Sequence, residues 1–166
     1  VKELGEWDNT LVMFLSDNGA CSEQPNTTPN IPPGPVESYR TVSVGWANAS
    51  NTPYRKFKST DYEGGTRTPL IASWPGVIQP GITEQVGHII DMTPTFMDIT
   101  GAEYPERING QKTKPPAGKS LLPIFHGKQR TPHAELYWRF GRAKAVRQGD
   151  LKAVRLGNAP WELYDL

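Results

Sequence analysis

The sequence lacks several features that define large classes of protein. It has one cysteine, Cys21, in 166 residues, which excludes an internal disulfide and a zinc site built on cysteines. Its 18 basic and 17 acidic residues leave a net charge of +1 and form no basic stripe of the kind that binds nucleic acid. The longest apolar run, residues 11–15, is far shorter than the ~20 residues of a membrane-spanning helix. We therefore expect a globular chain whose partners include neither nucleic acid nor a membrane.

The apolar pattern of the first hundred residues predicts an α/β fold. Residues 10–15 form a continuous apolar run, which is typical of a strand buried on both faces of a mainly parallel sheet. We expect further strands at residues 68–74 and 86–90. Asp91 is the expected N-cap of a helix over residues 93–100. Strands and helices in this alternation indicate an α/β body.

The remainder of the chain is less regular and then changes character. Residues 20–66 show little periodicity and predict a long loop, and residues 121–126 predict a short helix. The C-terminal end has short β-like runs and a hairpin turn at 148–150, which predict a small antiparallel sheet. The predicted domains are an α/β portion, residues 1–130, and an antiparallel β subdomain, residues 131–166. The four β-like runs are residues 136–140, 143–148, 152–156 and 161–166.

A carboxylate and an amide stand side by side where the first predicted strand ends. The carboxyl ends of strands in open α/β sheets border the ligand crevice. Asp17 and Asn18 would offer hard oxygen donors, which suit calcium or magnesium. Asp-Asn-Gly is also an ordinary turn sequence, and taken alone these residues favour a turn over a metal site.

A lysine precedes a pair of glycines in the stretch before the second predicted strand. Gly64 and Gly65 permit a backbone geometry or a close approach that other residues do not. Lys58, six positions before this pair, could offer a compact positive charge to an anion. A lysine in a polar loop is more often simply solvated, so the significance of Lys58 depends on its occurring together with Asp17 and Asn18.

The order of these motifs along the chain resembles the sulfatase family, and in particular its bacterial arylsulfatase-type members. The resemblance implies the C-terminal part of an alkaline-phosphatase-like sandwich with a small antiparallel C-terminal sheet. The matching blocks are Leu-Ser-Asp-Asn-Gly at 15–19, Gly-Trp-Ala-Asn-Ala-Ser-Asn-Thr-Pro-Tyr-Arg at 45–55, Lys58 with Gly64-Gly65, Thr-Pro-Leu-Ile-Ala-Ser-Trp-Pro-Gly at 68–76, Ile-Asp-Met-Thr-Pro-Thr at 90–95, Ala-Val-Arg-Gln-Gly at 145–149 and Trp-Glu-Leu-Tyr-Asp-Leu at 161–166.

The resemblance also implies roles for individual residues. Asp17 and Asn18 correspond to two of the calcium ligands of the family, and Lys58 corresponds to the lysine that contacts the substrate sulfate. Lys56 is a lesser candidate for that lysine. We expect Arg67 to be structural and to pair with a nearby carboxylate.

The chain departs from the family in lacking the nucleophile. Family catalysis uses a formylglycine made from the Cys or Ser of a Cys/Ser-x-Pro-x-Arg motif. Cys21 does not fit that motif, because the next proline is Pro25 and no arginine follows it, while residues 51–55 have Asn51 at the nucleophile position. We therefore expect a C-terminal fragment of a sulfuric ester hydrolase that is inactive by itself. Its expected partner is the missing N-terminal part or a second copy of the chain.

Other interpretations remain open at this point. One is a related phosphonate or phosphate ester hydrolase of the same superfamily, and another is a noncatalytic structural or binding module. His88, His126 and His133 match no catalytic histidine of the family, and we expect them to be structural or on the surface. The sequence does not name the sulfate ester. The compartment is open, with the periplasm or extracellular space favoured over the cytoplasm.

Overall fold

The computed structural model describes residues 1–23 and 27–166, a mixed α/β chain with small antiparallel sheets, as the sequence predicts. Within these residues, short 3-10 turns span Lys2–Leu4, Trp7–Asn9 and Ile89–Asp91. The helices and strands of the described residues are β1 (Val12–Leu15), α1 (Ser43–Asn51), α2 (Glu63–Thr66), β2 (Leu70–Ser73), α3 (Met92–Thr100), β3 (Arg107–Ile108), β4 (Gln111–Lys112), α4 (Leu122–Phe125), β5 (Leu136–Phe140), β6 (Ala143–Gln148), β7 (Leu151–Leu156) and β8 (Glu162–Asp165).

The first two predicted strands form and pair with each other. β1 and β2 make a two-stranded sheet, which confirms the strands expected around residues 10–15 and 68–74. The expected burial of β1 on both faces is wrong for this chain. Successive side chains of a strand point to opposite faces, and no described element covers the face of Val12 and Phe14. Phe14 is consequently 71% exposed.

The chain divides into two compact units, the first of which comprises residues 1–13 and 72–133. Its α3 ends at Gly101, whose φ of +69° continues the chain in a left-handed conformation, and this confirms the helix expected there. The strand expected at residues 86–90 is wrong. The Asp91 carboxylate accepts the backbone N–H of His88, and the His88 ring accepts that of Ile90, so a 3-10 turn takes donors that a strand would need.

The second unit comprises residues 14–71 and 134–166. Its four-stranded sheet follows the chain in the order β5-β6-β7-β8, with every neighbouring pair antiparallel, which confirms the predicted C-terminal sheet and the hairpin at 148–150. Ala145 and Val154 face each other across β6 and β7 and pack with Tyr62 in a buried cluster. The predicted domain boundary after residue 130 stays a prediction.

Two regions without a clear sequence pattern contain regular structure. Residues 20–66 include α1 and α2, so the expectation of an unstructured loop is wrong for part of that range. The sequence of α1 has no apolar stripe, and Ala47 is its one buried residue. Strands β3 and β4 form a small hairpin around Asn109 and Gly110, which both have positive φ, as tight hairpin turns require.

Candidate functional site

The loop after β1 carries both predicted metal ligands, and we call residues 16–20 the Asp17 loop. Asp17 is exposed and Asn18 is half-buried. The Ser16 hydroxyl donates to the carbonyl of Asn18 at 2.7 Å, and Asn18 Nδ2 donates to the carbonyl of Gly19 at 3.0 Å. Because Nδ2 is engaged in this way, Oδ1 is the atom of the Asn18 amide that can face a cation.

Three glycines bring the Asp17 loop directly against α2. The backbone N–H of Gly19 donates to the carbonyl of Gly65 at 3.1 Å. A Cβ added at Gly19 would lie 1.7 Å from the carbonyl oxygen of Gly64. Cβ atoms added at Gly64 and Gly65 would lie 2.1 Å from the carbonyl oxygens of Lys56 and Thr60, respectively. Only residues without a side chain fit at these three positions, which is the close approach that the paired glycines predict.

Residues 55–60, which we call the Lys58 segment, fold back over these glycines and contact the Asp17 loop. The backbone N–H of Lys58 donates to the carbonyl of Ala20 at 3.1 Å. The Lys58 ammonium lies 3.7 Å from Glu23 Oε1 and 3.9 Å from Cys21 Sγ, and the side chain is 36% exposed. The structure therefore brings the backbone at Lys58 within hydrogen-bond distance of the loop that holds Asp17 and Asn18. The catalytic and metal-binding roles of these three residues stay predictions.

A buried ion pair that sequence reasoning missed joins α2 to β7. Lys152 Nζ donates to Glu63 Oε1 at 2.6 Å and to the Thr66 hydroxyl at 2.9 Å, and it lies 4.5 Å from the ring centre of Trp138. Burial lowers the pKa of Lys152, and the neighbouring Glu63 carboxylate opposes that shift. The alternation of β7 carried the signal, because Lys152 shares its face with the buried Val154.

A second missed cluster joins Arg55, the first residue of the Lys58 segment, and Tyr62, which follows that segment, to β8. The Tyr62 hydroxyl donates to Glu162 Oε1 at 2.6 Å, Arg55 donates to the Tyr164 hydroxyl at 2.6 Å, and Arg55 also pairs with Glu162. Burial, together with the bond to Glu162, raises the pKa of Tyr62 to about 12. Hydrogen bonds from Tyr164 and Tyr62 lower the pKa of Glu162. The partners lie about a hundred positions apart in sequence, so no local sequence pattern predicts these contacts.

Arg67 has the structural contacts that the sequence predicts. Its guanidinium lies 3.8 Å from Glu63 Oε2, one helical turn earlier, and 4.6 Å from the ring centre of Tyr54. These contacts confirm the expected pairing with a carboxylate and add a cation–π contact.

The first unit contains a closed polar cluster centred on the Asp91 carboxylate. This side chain is 0% exposed and accepts hydrogen bonds from the backbone N–H of His88, at 2.9 Å, and of Lys119, at 2.8 Å. Arg130 Nη2 and His133 Nε2 each lie 2.8 Å from one of its oxygens. Burial alone would raise the pKa of Asp91, but the donors from Lys119, Arg130 and His88 together lower it.

These contacts settle the positions of Asp91 and the histidines. Asp91 stands at the N-cap position of α3, as predicted, but its side chain makes no capping bond to that helix and holds other segments instead. His88 and His133 both contact Asp91, and His126 is exposed, so all three fit the expected structural or surface positions.

Among residues 1–23 and 27–166, no group of three or more His, Cys, Asp or Glu side chains could hold a metal ion. No helix within the same ranges has the length and apolar character needed to cross a bilayer.

Comparison with known proteins gives matches over the whole chain. The family model described as Sulfatase matches residues 1–102, and the model described as N-sulphoglucosamine sulphohydrolase, C-terminal, matches residues 55–166. An uncharacterised sulfatase of Schizosaccharomyces pombe is 31% identical over 100% of this chain and 34% of its own length. An arylsulfatase of Klebsiella aerogenes is 33% identical over 82% of this chain and 32% of its own length.

Solved structures match the fold. The crystal structure of Ps i-CgsB superposes with a TM-score of 0.68 and 25% identity, covering 99% of this chain and 31% of that chain. This agreement supports the alkaline-phosphatase-like fold predicted from the sequence. The chain spans about a third of the length of each of these three proteins.

Proposed function

The chain belongs to the sulfatase family, and from this we propose that it supplies the sulfate-binding lysine and part of the calcium site of an enzyme that hydrolyses sulfate esters. The observation that carries the proposal is the pair of backbone hydrogen bonds that join the Asp17 loop to the Lys58 segment and to α2. Lys58 N–H bonds Ala20 at 3.1 Å, and Gly19 N–H bonds Gly65 at 3.1 Å. These bonds hold two oxygen donors and one ammonium-bearing residue on neighbouring stretches of backbone.

Lys58 is the residue that we propose binds the sulfate group. Its ammonium is a compact charge with three donors, which suits the oxygens of a sulfuryl group. As the S–O ester bond breaks, negative charge on those oxygens must be stabilised, and a preorganised cation lowers the barrier more than the same cation would in water. The partial exposure of the Lys58 side chain leaves it open to a ligand.

Asp17 and Asn18 are the residues that we propose hold calcium. Their donors are a carboxylate and an amide oxygen, the hard ligands that calcium prefers, so the residues present fit this cation. Calcium takes ~6 to 8 oxygen ligands, so other parts of the protein must supply the rest. When bound, calcium would add positive charge beside the sulfuryl oxygens. Asp17 brings a formal negative charge to the cation, whereas Asn18 brings a neutral oxygen.

The nucleophile is proposed to lie outside these residues. The 166-residue sequence contains no Cys/Ser-x-Pro-x-Arg motif, from which the formylglycine of the family is made. In this proposal, Asp17, Asn18 and Lys58 bind and orient the sulfate group, and the remainder of the protein attacks it.

Substitution of Lys58 in the full-length protein tests the proposal. We expect Lys58→Ala to lower kcat/KM for para-nitrophenyl sulfate by about 10²- to 10³-fold, the usual effect of removing one donor to a developing oxyanion. Lys56→Ala is the matched control and should stay near the wild-type rate. An unimpaired Lys58→Ala enzyme would remove Lys58 from the site, and loss of activity in Lys56→Ala alone would assign the role to Lys56.

The same assay separates the alternative reactions. Wild-type enzyme should prefer para-nitrophenyl sulfate over the corresponding phosphate and phosphonate monoesters. A higher kcat/KM for either phosphorus ester would favour a phosphonate or phosphate ester hydrolase. Absence of turnover with all three esters would favour a noncatalytic module.

The calcium assignment makes a separate prediction about the two ligands. Asp17→Ala should raise the calcium concentration needed for half-maximal activity more than Asn18→Ala does, because it removes a charge as well as an oxygen. Equal calcium responses in wild type and both variants would exclude the Asp17 loop from the metal site.

The isolated chain should behave as an incomplete piece. We expect it to hydrolyse no sulfate ester and to associate through the exposed face around Val12 and Phe14. In the whole protein we propose that the remaining sequence covers this face. Turnover by the purified chain, or a clean monomer in sedimentation, would contradict the corresponding expectation.

A further inference from the structure

Asn51, the last residue of α1, bridges the two stretches of backbone that carry the proposed site. Its side-chain Oδ1 accepts the backbone N–H of Ala20 at 3.1 Å. Its Nδ2 donates to the backbone carbonyl of Lys56 at 3.0 Å. Ala20 ends the Asp17 loop, and Lys56 lies two residues before Lys58. One amide group therefore contacts both the metal-binding side and the sulfate-binding side.

These bonds form part of a closed ring. Lys58 N–H bonds the carbonyl of Ala20, Ala20 N–H bonds Asn51, and Asn51 bonds the carbonyl of Lys56, from which the chain returns to Lys58. Both backbone polar groups of Ala20 are thus used to fix its position between Lys58 and Asn51. Loss of the Asn51 amide would leave a donor on one side and an acceptor on the other without their partner.

The geometry is specific to asparagine. A single group must accept on one atom and donate on the other, which an aspartate or a leucine of similar size cannot do. Space is also restricted, because a Cβ added at Gly19 would lie 3.3 Å from Asn51 Nδ2, so a longer glutamine would crowd this backbone. In addition, Lys56 has a φ of +68°, an unfavourable conformation for a lysine that its contact with Asn51 helps to maintain.

From this arrangement we infer that Asn51 is a positioning residue for sulfate ester hydrolysis, one that sets Lys58 relative to Asp17 and Asn18 without touching the substrate. The inference rests on the proposed function, since it concerns the same site. Displacement of a catalytic group by about 1 Å can lower a rate by ~10²-fold, so a residue that acts only through backbone position can have a large kinetic effect.

The experiment measures kcat and KM for para-nitrophenyl sulfate in the full-length protein. We expect Asn51→Leu to lower kcat/KM by about 10- to 100-fold, mainly through kcat, and Asn51→Asp, which keeps the acceptor and loses the donor, to have a smaller effect. Asn48→Asp is the control, because Asn48 is an exposed asparagine on the same helix. That variant should keep wild-type kinetics.

A double variant distinguishes positioning from general destabilisation. If Asn51 acts through Lys58, then Asn51→Leu combined with Lys58→Ala should be no slower than Lys58→Ala alone. Multiplicative losses would overturn the inference. Wild-type kinetics in both Asn51 variants, measured beside an impaired Lys58→Ala enzyme, would also overturn the inference. That result would leave the proposed function standing. Unimpaired Lys58→Ala would instead reject the proposed function.

Folding is checked in the same preparations by thermal unfolding. Should Asn51→Leu fail to fold, the isosteric Asn51→Asp carries the comparison with Lys58→Ala. Failure of both variants to fold would assign Asn51 to stability and overturn the inference.

Discussion

Asp91 in the first unit and Lys58 in the second are both charged residues within family motifs, yet their surroundings differ. The Asp91 carboxylate is completely buried, and two backbone N–H groups, Arg130 and His133 surround it. The Lys58 side chain is 36% exposed, and its ammonium lies 3.7 Å from Glu23 Oε1 and 3.9 Å from Cys21 Sγ. A buried charge with close hydrogen-bond partners holds segments of the chain together. An exposed charge whose neighbours are distant remains available to contact a ligand.

The Lys152–Glu63 pair shows that this difference is not one between the two units. Lys152 is 1% exposed and lies in the same unit as Lys58, but its environment resembles that of Asp91. Its bonds to Glu63 and Thr66 connect β7 to α2, the helix against which the Asp17 loop packs. Charges with close, buried partners and charges with distant, exposed partners therefore occur in the same unit. Substitution should separate the two kinds by their effects on stability.

Asp91→Asn should have the largest effect on stability in the full-length protein. It would leave the Arg130 guanidinium, which is 3% exposed, without an opposing charge, and breaking such a buried pair costs about 3–5 kcal/mol. Urea unfolding measures the loss. Asp98→Asn, on the exposed side of α3, is the control and should change the free energy of unfolding by less than ~0.5 kcal/mol. Equal stability of the two variants would contradict the supporting role of Asp91.

Glu63→Gln should have the next largest effect, about 3 kcal/mol, at the low end of the range for a broken buried pair because Glu63 is 12% exposed. Adding Lys152→Met should recover much of this loss, since an apolar side chain then fills the same space beside Trp138. Lys144→Met, on the exposed side of β6, is the control in the same urea assay. A double variant as unstable as Glu63→Gln would mean that the charge on Lys152 is not the cause.

Acid should weaken the Asp91 cluster less than substitution does, because protonation leaves both carboxyl oxygens in place. The folded state lowers the pKa of Asp91. This contribution is therefore fully present above the ordinary carboxyl pKa and is lost as the pH falls through the lowered pKa of the folded state. Urea unfolding from pH 7 to pH 3 should show the stability gap between wild type and Asp91→Asn narrowing. A constant gap would exclude this titration.

Lys58→Ala should have the smallest effect on stability, within ~0.5 kcal/mol of wild type, because its ion pair with Glu23 is long, at 3.7 Å, and both side chains are partly solvated. Parallel measurements of unfolding and of aryl sulfate turnover on one preparation check this. A loss of several kcal/mol would place Lys58 with Asp91 and Lys152 among the supporting charges.

Local sequence patterns predicted most of the regular structure. β1 and β2 follow from short apolar runs, α3 from its N-terminal aspartate and terminal Gly101, and the C-terminal sheet from alternation between turns. Helix α1 could not be predicted in this way, because its small and polar residues bury little. Its place depends on contacts such as those of Asn51, which link residues up to 31 positions apart.

The candidate site was also predictable only where its residues stand in local sequence motifs. Motif order and spacing singled out Asp17, Asn18 and Lys58. The residues around them were missed because their roles depend on distant partners: Glu162 bonds Tyr62 across 100 positions, and Lys152 bonds Glu63 across 89. The positions that we propose bind a ligand stand in short motifs, whereas the residues that contact and support them are spread along the chain.

The contact among Gly19, Gly64 and Gly65 has a consequence for attempts to evolve new substrate preferences in the laboratory. Since the carbonyl groups facing these glycines leave no room even for a methyl group, randomising codons 19, 64 and 65 would fill a library with misfolded members. Diversity is better directed to Cys21 and Glu23, whose side chains border the Lys58 ammonium while the glycine backbone beneath stays unchanged.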